Sequence, residues 1–423
     1  MRINILMLSA LAASCLVSAS QASEFQLLGA KAVSMGGAGV AMPQAALAAH
    51  NNPAMLGFNT EKFSIHLGAG VGVKDTGAGK SISDLNDLGF TNLTNIASGD
   101  AENLTAAQIN SFIQARNIIL GMDKKGVEAN PSADFAVSFG SFGTGVFVTS
   151  DIGGVANIDQ THTDMIFETT VAGTYLNVVT NTATNLAGYQ ASSIKYAIDN
   201  GLTNVAIKGL AVGEVPFAYG HAFQTPYGQV ALGGALKLMS GKTLIKQVAL
   251  DDTDSFDNLS QNTKTSTTYG VDLGVAYKPS GMDALTLAVA GKNLNRPGFD
   301  VYNGDEFKLD PTVRAGAAYK VNDLLTFAFD TDLTENKSLS GYKTRYVGGG
   351  ANFDLSLLEL NVGLMQNVSS NDQAGLIYTA GLATGPSWLH VELSAQMSSK
   401  SGEFDGDKYP KQASVNLALS SSW

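Results

Sequence analysis

The chain has 423 residues, with 26 basic and 37 acidic side chains, a formal charge of −11 and a charged fraction of only 15%. An acidic chain without basic runs argues against nucleic-acid binding. So low a charged fraction is unusual for soluble domains, although the length alone would allow two. Glycine is abundant, at 46 residues, and proline sparse, at 10, which suits crowded sheet walls and tight turns.

The first residues read as a secretory signal. Arg2 supplies the positive start and Ile3–Val17 an apolar stretch too short to span a bilayer. Ser20-Gln21-Ala22 places small residues at the −3 and −1 positions of a cleavage site, so residues 1–22 are expected to be removed. Without Arg2 the balance is 25 basic against 37 acidic, or −12. The single cysteine, Cys15, lies in this segment, and the leucine of Leu11-Ala12-Ala13-Ser14-Cys15 is one place too far away for a good lipobox. A chain lacking Cys15 has no disulfide, thiolate metal site or cysteine nucleophile. No later run of about 18 apolar residues suggests a transmembrane helix.

Residues 23–62 are rich in small residues, including Met35-Gly36-Gly37-Ala38-Gly39-Val40-Ala41 and Asn51-Asn52-Pro53-Ala54-Met55-Leu56. Too small-residue-rich for a helix bundle and too apolar for a tail, this segment is expected to fold inside a lumen. From residue 63 to 423 the chain alternates with period two, the signature of strands with one apolar and one polar face. The first strand is Phe63–Lys74. Further strands are expected near 133–140, 143–152, 205–223, 228–250, 263–278, 283–293, 308–320, 324–333, 341–352, 357–368, 373–384, 387–399 and 411–423. In hydrocarbon only a closed barrel satisfies the backbone of such strands. The expected fold is therefore all-β, a transmembrane antiparallel barrel of about fourteen strands.

Short and long connections alternate, as in bacterial outer-membrane barrels with short periplasmic turns and longer outer loops. Two outer loops look partly helical: Leu104, Ile109, Phe112, Ile113 and Ile119 recur at helical spacing, and Ala183–Asn200 does so more weakly. Leu104, Phe112 and Ile113 are candidates for a ligand entrance. Val271, Leu273, Val275 and Tyr277 mark one lipid face, and Val415, Leu417, Leu419 and the terminal Trp423 another. The opposing faces carry Asp272, Lys278, Arg314, Lys320, Asp330, Asp332, His390 and Glu392. Charge facing lipid is penalised, so these form a polar lumen wall. Tyr269, Tyr277, Tyr319, Tyr342 and Trp388 lie near strand ends, where an aromatic girdle sits.

Signals for chemistry are weak. Asp75-Thr76-Gly77-Ala78-Gly79-Lys80-Ser81 hints at a phosphate loop, but the required first glycine is Lys74, and an exposed flexible loop is expected instead. None of the five histidines has metal-type spacing with another, and His66, His221 and His390 are expected on the lumen wall. His390 beside Glu392 is the one pair to inspect for catalysis; no enzyme activity, metal or cofactor is expected. The acidic outer loops Asp251-Asp252-Thr253-Asp254, with Asp257, and Asp405-Gly406-Asp407 do not meet the EF-hand pattern.

Ala32–Ala41 fits the pattern Ala-x-Ser-x-Gly-Gly-Ala-Gly-Val-Ala, and Asn52-Pro53-Ala54-Met55-Leu56 follows. On these residues the segment resembles the FadL-like family of outer-membrane transporters for hydrophobic compounds. Within it the chain is most similar to the barrel group labelled conjugal transfer protein TraF. A periplasmic, thioredoxin-like TraF would instead need a CxxC motif, which is absent. The resemblance implies fourteen strands around an N-terminal hatch. It also implies binding of hydrophobic substrates near the outer loops, and release through a gap in the wall as the hatch rearranges. Asn52, Pro53 and Ala54 take the place of the hatch turn; Gly36, Gly37 and Gly39 either hinge the hatch or let it pack closely.

Three functions remain: a passive channel for hydrophobic or amphipathic molecules, a non-transporting scaffold or receptor associated with conjugal transfer, and an open porin. The expected location is the Gram-negative outer membrane. Expected partners are its lipid and lipopolysaccharide, the barrel-insertion machinery, which would read the C-terminal Trp423, and a hydrophobic ligand, with no nucleic acid.

Overall fold

The computed structural model describes residues 24–249, 259–338, 341–355, 357–369, 374–386 and 388–423. The expected signal over 1–22 and the acidic run Asp251–Asp257 lie outside them. Fourteen strands form a closed barrel in sequence order. They are β1 (Ser64–Asp75), β2 (Gly126–Phe139), β3 (Phe142–Asn157), β4 (Asn204–Thr225), β5 (Gly228–Ala249), β6 (Thr263–Pro279) and β7 (Leu285–Lys292). The circuit continues through β8 (Thr312–Lys320), β9 (Leu325–Asp332), β10 (Tyr346–Asp354), β11 (Leu358–Asn367), β12 (Leu376–Thr384), β13 (His390–Ser398) and β14 (Gln412–Ser422). The last strand pairs antiparallel with the first from Ser64↔Ser422 to Lys74↔Gln412, which closes the ring.

Alternation sets which way each residue faces. On β14, Val415, Leu417 and Leu419 are exposed outward at 50%, 55% and 39%, while Ala418 between them is buried. The same apolar exterior runs through Leu273 and Val275, Leu360, Val362 and Leu364, and Leu393 and Met397. No helix among the described residues is long and apolar enough to cross a membrane; the strands supply the crossing.

Several bounds differ from expectation for local reasons. β2 begins at Gly126 rather than near 133, because Asn130-Pro131 stays paired with β1 on one side only. Opposite β1 the register runs unbroken from Ser64↔Ser138 to Asp75↔Val127. Opposite β3 it skips 130–131 and 150–151. Proline has no N–H to donate to a ladder. A second proline, Pro216 of β4, accompanies a matching gap at 145–146 and 215–216 on the other side of β3. The ladder of β3 is thus interrupted once on each flank. Residues 308–311 and 341–345 leave the barrel; Glu306–Lys308 and Lys343–Thr344 pair instead in two-stranded outer ladders.

Within the lumen lie two short helices, α1 (Ala30–Ser34) and α2 (Ala48–Asn51), and a 3-10 turn at Pro53–Phe58. At the long-loop end stand α3 (Ala78–Asp87), α4 (Phe90–Asp100), α5 (Ala106–Leu120), α6 (Leu186–Ser192) and α7 (Ile194–Asp199). Thr105 and Gln108 form a reciprocal capping box that starts α5. Asp75–Ser81 is not a flexible loop. Asp75 Oδ1 accepts from the N–H groups of Gly77 and Ala78 at 2.7 and 2.8 Å, which nucleates α3. Two further sequence readings are corrected. Tyr342 is buried beneath Lys74, with Nζ 4.4 Å from the ring centroid, and is not part of the girdle. His221 lies on the outward parity of β4 between Tyr219 and Phe223 rather than in the lumen.

Candidate functional site

Residues 24–59 run through the barrel interior, and the wall is shaped to receive them. Lumenal alanines Ala218, Ala231, Ala235, Ala276, Ala288, Ala290, Ala318 and Ala328 form one buried cluster with Phe25, Met35, Val40, Met42, Met55 and Leu56. Where backbone meets backbone the wall carries glycine. A Cβ on Gly233 would lie 2.2 Å from the carbonyl carbon of Pro53, and one on Gly363 would lie 2.4 Å from the Gly36 nitrogen. Gly36 and Gly37 themselves sit at φ +70° and +71°, where a side chain is strained. Gly39 is a packing glycine, since a Cβ there would come within 2.8 Å of that of Ala32.

Wall side chains hold the segment's backbone. Asp330 Oδ2 accepts from the N–H groups of Gly39 and Val40 at 2.9 and 3.0 Å. Thr379 donates to the Ser34 carbonyl at 2.7 Å and accepts from the Gly36 N–H at 2.9 Å. Arg314, paired with Asp332 at 2.6 Å, donates to the Gly37 carbonyl at 3.2 Å. Lys292 donates to the Gln26 carbonyl at 2.7 Å. The Asn-Pro-Ala turn is built as its residues require. Asn52 is extended, as a residue before proline prefers. Its Oδ1 accepts from the Ala54 N–H at 3.1 Å, and its Nδ2 donates to the Val40 carbonyl at 2.9 Å.

A charged cluster is buried between segment and wall. Lys237, 1% exposed, donates to Asn293 at 2.8 Å and pairs with Asp272 at 3.1 Å and Glu214 at 3.3 Å. His50 from α2 approaches Glu214 at 3.7 Å and stacks on Phe147 at 4.8 Å. Desolvated charges of this kind persist because each has a counter-charge or a hydrogen-bonding partner.

Of the wall residues expected from sequence, Asp272, Arg314, Asp330 and Asp332 are buried in the lumen. Lys278 lies over the Phe58 ring at 4.5 Å, while Lys320 is exposed at the short-turn mouth, pairing with Asp323 at 2.7 Å. Glu392 accepts a hydrogen bond from Ser420, and His390, two residues before it, is half-buried. Phe112 is fully buried against Phe167, at 5.1 Å, in a core shared by the long outer loops; Leu104 packs at its margin and Ile113 is half-buried. Trp423 stacks on Phe63 at 5.4 Å, and its N–H donates to the Phe63 carbonyl at 2.9 Å. The reading of single residues missed Lys74, Glu214, Lys237 and Lys292. The signal was present: Lys237 stands between Leu236 and Leu238, exposed outward at 52% and 57%, so its own side chain must point inward. Among the described residues no group of three or more His, Cys, Asp or Glu could hold a metal ion.

On the long-loop side of the segment lies a cavity of about 170 Å³. Phe25, Leu28 and Met365 give it an apolar side; Lys74, Asn130 and Asn416 give it a polar one. Lys74 Nζ is held by Glu24 at 2.9 Å. Asn130, Pro131 and Ser132 all line the cavity, so it abuts the place where β2 loses its pairing with β3.

The Ralstonia pickettii toluene transporter TbuX is similar in structure, with a TM-score of 0.51 and 12% identity over 95% of this chain and 99% of that one. A deltaS2 mutant of the TodX monoaromatic hydrocarbon channel gives 0.50 and 12% over 93% and 98%. At this identity the likeness is one of fold, a FadL-like barrel. No curated protein matches the chain. Residues 49–332 match the family described as F plasmid transfer operon, TraF, protein, and because that match spans more than half of the sequence, the chain belongs to this family.

Proposed function

We propose that the protein is a passive outer-membrane channel for small hydrophobic or amphipathic molecules. One observation carries this reading: the cavity above the lumenal segment meets the wall where the β2–β3 ladder is interrupted at Pro131. A molecule held there is beside an interruption in the wall's ladder, and a sideways exit into lipid avoids the plugged lumen below. The segment acts as a hatch, and the fold shared with a toluene transporter and a monoaromatic hydrocarbon channel is consistent with this role. A second reading, a non-transporting envelope component associated with conjugal transfer, draws support from the family's description and from the self-packed outer loops.

The test is entry of single-ring aromatic compounds into lipopolysaccharide-containing vesicles with and without the reconstituted full chain, alongside planar-bilayer current. Protein-dependent entry without stable ion current is expected. No acceleration for any compound would favour the scaffold, and a large steady current would favour an open pore.

A further inference from the structure

The cavity also constrains what it can hold. An engineered apolar cavity of about 150 Å³ accommodates benzene, so about 170 Å³ houses one ring with a small substituent, whereas a long acyl chain would extend beyond it. Its lining is two-sided. Phe25, Leu28 and Met365 suit a ring face. On the paired wall strands β1 and β14, Lys74 is 5% exposed and bonded to Glu24, and Asn416 forms no side-chain hydrogen bond among the described residues. A plain hydrocarbon would cover these groups without replacing their water. A site that offers hydrogen bonds rejects the analogue lacking the matching group far more strongly than a greasy pocket sorts by size. A free carboxylate is disfavoured in turn, because the two cations that line the cavity, Lys74 and Arg314, are already paired with Glu24 and Asp332.

We infer that the cavity selects neutral single-ring aromatic compounds bearing one hydrogen-bonding group, phenols foremost, over hydrocarbons, aromatic acids and long-chain fatty acids. This rests on the channel reading of the same site. Hydroxyl and ring divide between the two walls: the hydroxyl meets the Lys74 and Asn416 side, and the ring lies on Phe25 and Met365.

The test uses the full chain in lipid nanodiscs, with equilibrium binding of 4-methylphenol, toluene, benzoate and dodecanoate. Toluene differs from 4-methylphenol only by the hydroxyl, and is expected to bind at least about tenfold more weakly. Benzoate and dodecanoate are expected not to displace the phenol. Gly72→Leu fills the cavity: Gly72 lines it, and a Cβ there makes only ordinary van der Waals contacts, the nearest with the Ser414 Cβ at 3.5 Å. It should weaken 4-methylphenol binding at least about tenfold while leaving heat-modifiable gel migration intact. Asn416→Leu conserves bulk and should erase the preference over toluene. Equal binding of toluene, displacement by dodecanoate or benzoate, or unchanged binding in a folded Gly72→Leu protein would each overturn the inference. Protein-dependent entry of toluene into vesicles without a phenol preference would leave the channel reading standing. Neither entry nor binding of any of the four compounds would remove both.

Discussion

Replacing Asp330 by alanine tests whether the lumenal segment is latched. Asp330 is 3% exposed, and its Oδ2 is the acceptor for two adjacent N–H groups, those of Gly39 and Val40. Hydrogen bonds to a charged partner contribute about 1.5–3 kcal/mol each, so two bring about 3–6 kcal/mol. Some relaxation around the truncated side chain favours the lower end. About 3 kcal/mol corresponds to a roughly 100-fold increase in the population of the released segment. The assay is thiol labelling at Ala38→Cys, a position with 0% exposure in the lumenal cluster, in a Cys15→Ser background that removes the chain's single cysteine. If opening precedes labelling, the labelling rate reports the open population. Asp330→Ala should raise it roughly 100-fold, and Asp330→Asn, which keeps one acceptor, roughly tenfold. A rate within about threefold of the parent in a correctly folded barrel would refute the latch.

Other perturbations probe other layers. Lys237→Met leaves Glu214 and Asp272 buried without their cation, and should cost about 3–5 kcal/mol, read as a lower unfolding midpoint in gel-shift melting; adding Glu214→Gln and Asp272→Asn should recover most of it, and no recovery would argue that the methionine simply does not fit. Leu417→Arg puts a charge on the lipid face in mid-strand, opposite Ala69 and Leu393, and should cost about 2–4 kcal/mol in vesicle-insertion equilibria; an unchanged equilibrium would mean this face does not meet lipid. In the outer loops the Thr161 hydroxyl and N–H hold the Asp159 carboxyl down to about 2. Because the folded value is depressed, the turn's contribution is fully present above the ordinary carboxylate range and is lost progressively as pH falls from there to about 2. An NMR titration should find Asp159 still ionised at about pH 3, and a midpoint near 4 would contradict the hydrogen-bonding account.

The barrel was legible because its rule is simple: one residue out, one residue in, repeated until the ring closes. All fourteen strands lie where alternation put them, and errors cluster where the rule is locally broken. Asn130-Pro131 and Gly153-Gly154 look like strand ends, yet β2 and β3 run through them because the neighbouring strand continues to pair. The α3 helix was not legible because its amphipathic repeat is short and its start depends on one carboxylate, Asp75. The lumen's chemistry was half legible. Inward parity marks Asp272 and Arg314 directly. That Lys237, Glu214 and Asp272 converge depends on the stagger of three strands, which no local window contains. Tyr342 and His221 mislead for a related reason: a polar aromatic near a strand end suits either a girdle or a lumen mouth.

The lumenal segment grips opposite arcs of the wall. Asn52 and Pro53 press on Gly274 and Gly233, while Ser34 and Gly36 press on Gly381 and Gly363. The ring itself closes where β14 pairs with β1. Contact with both arcs at once ties the width of the segment to the circumference of the ring. The segment is therefore a spacer as well as an obstruction: a wider or narrower ring would lose one of its two grips.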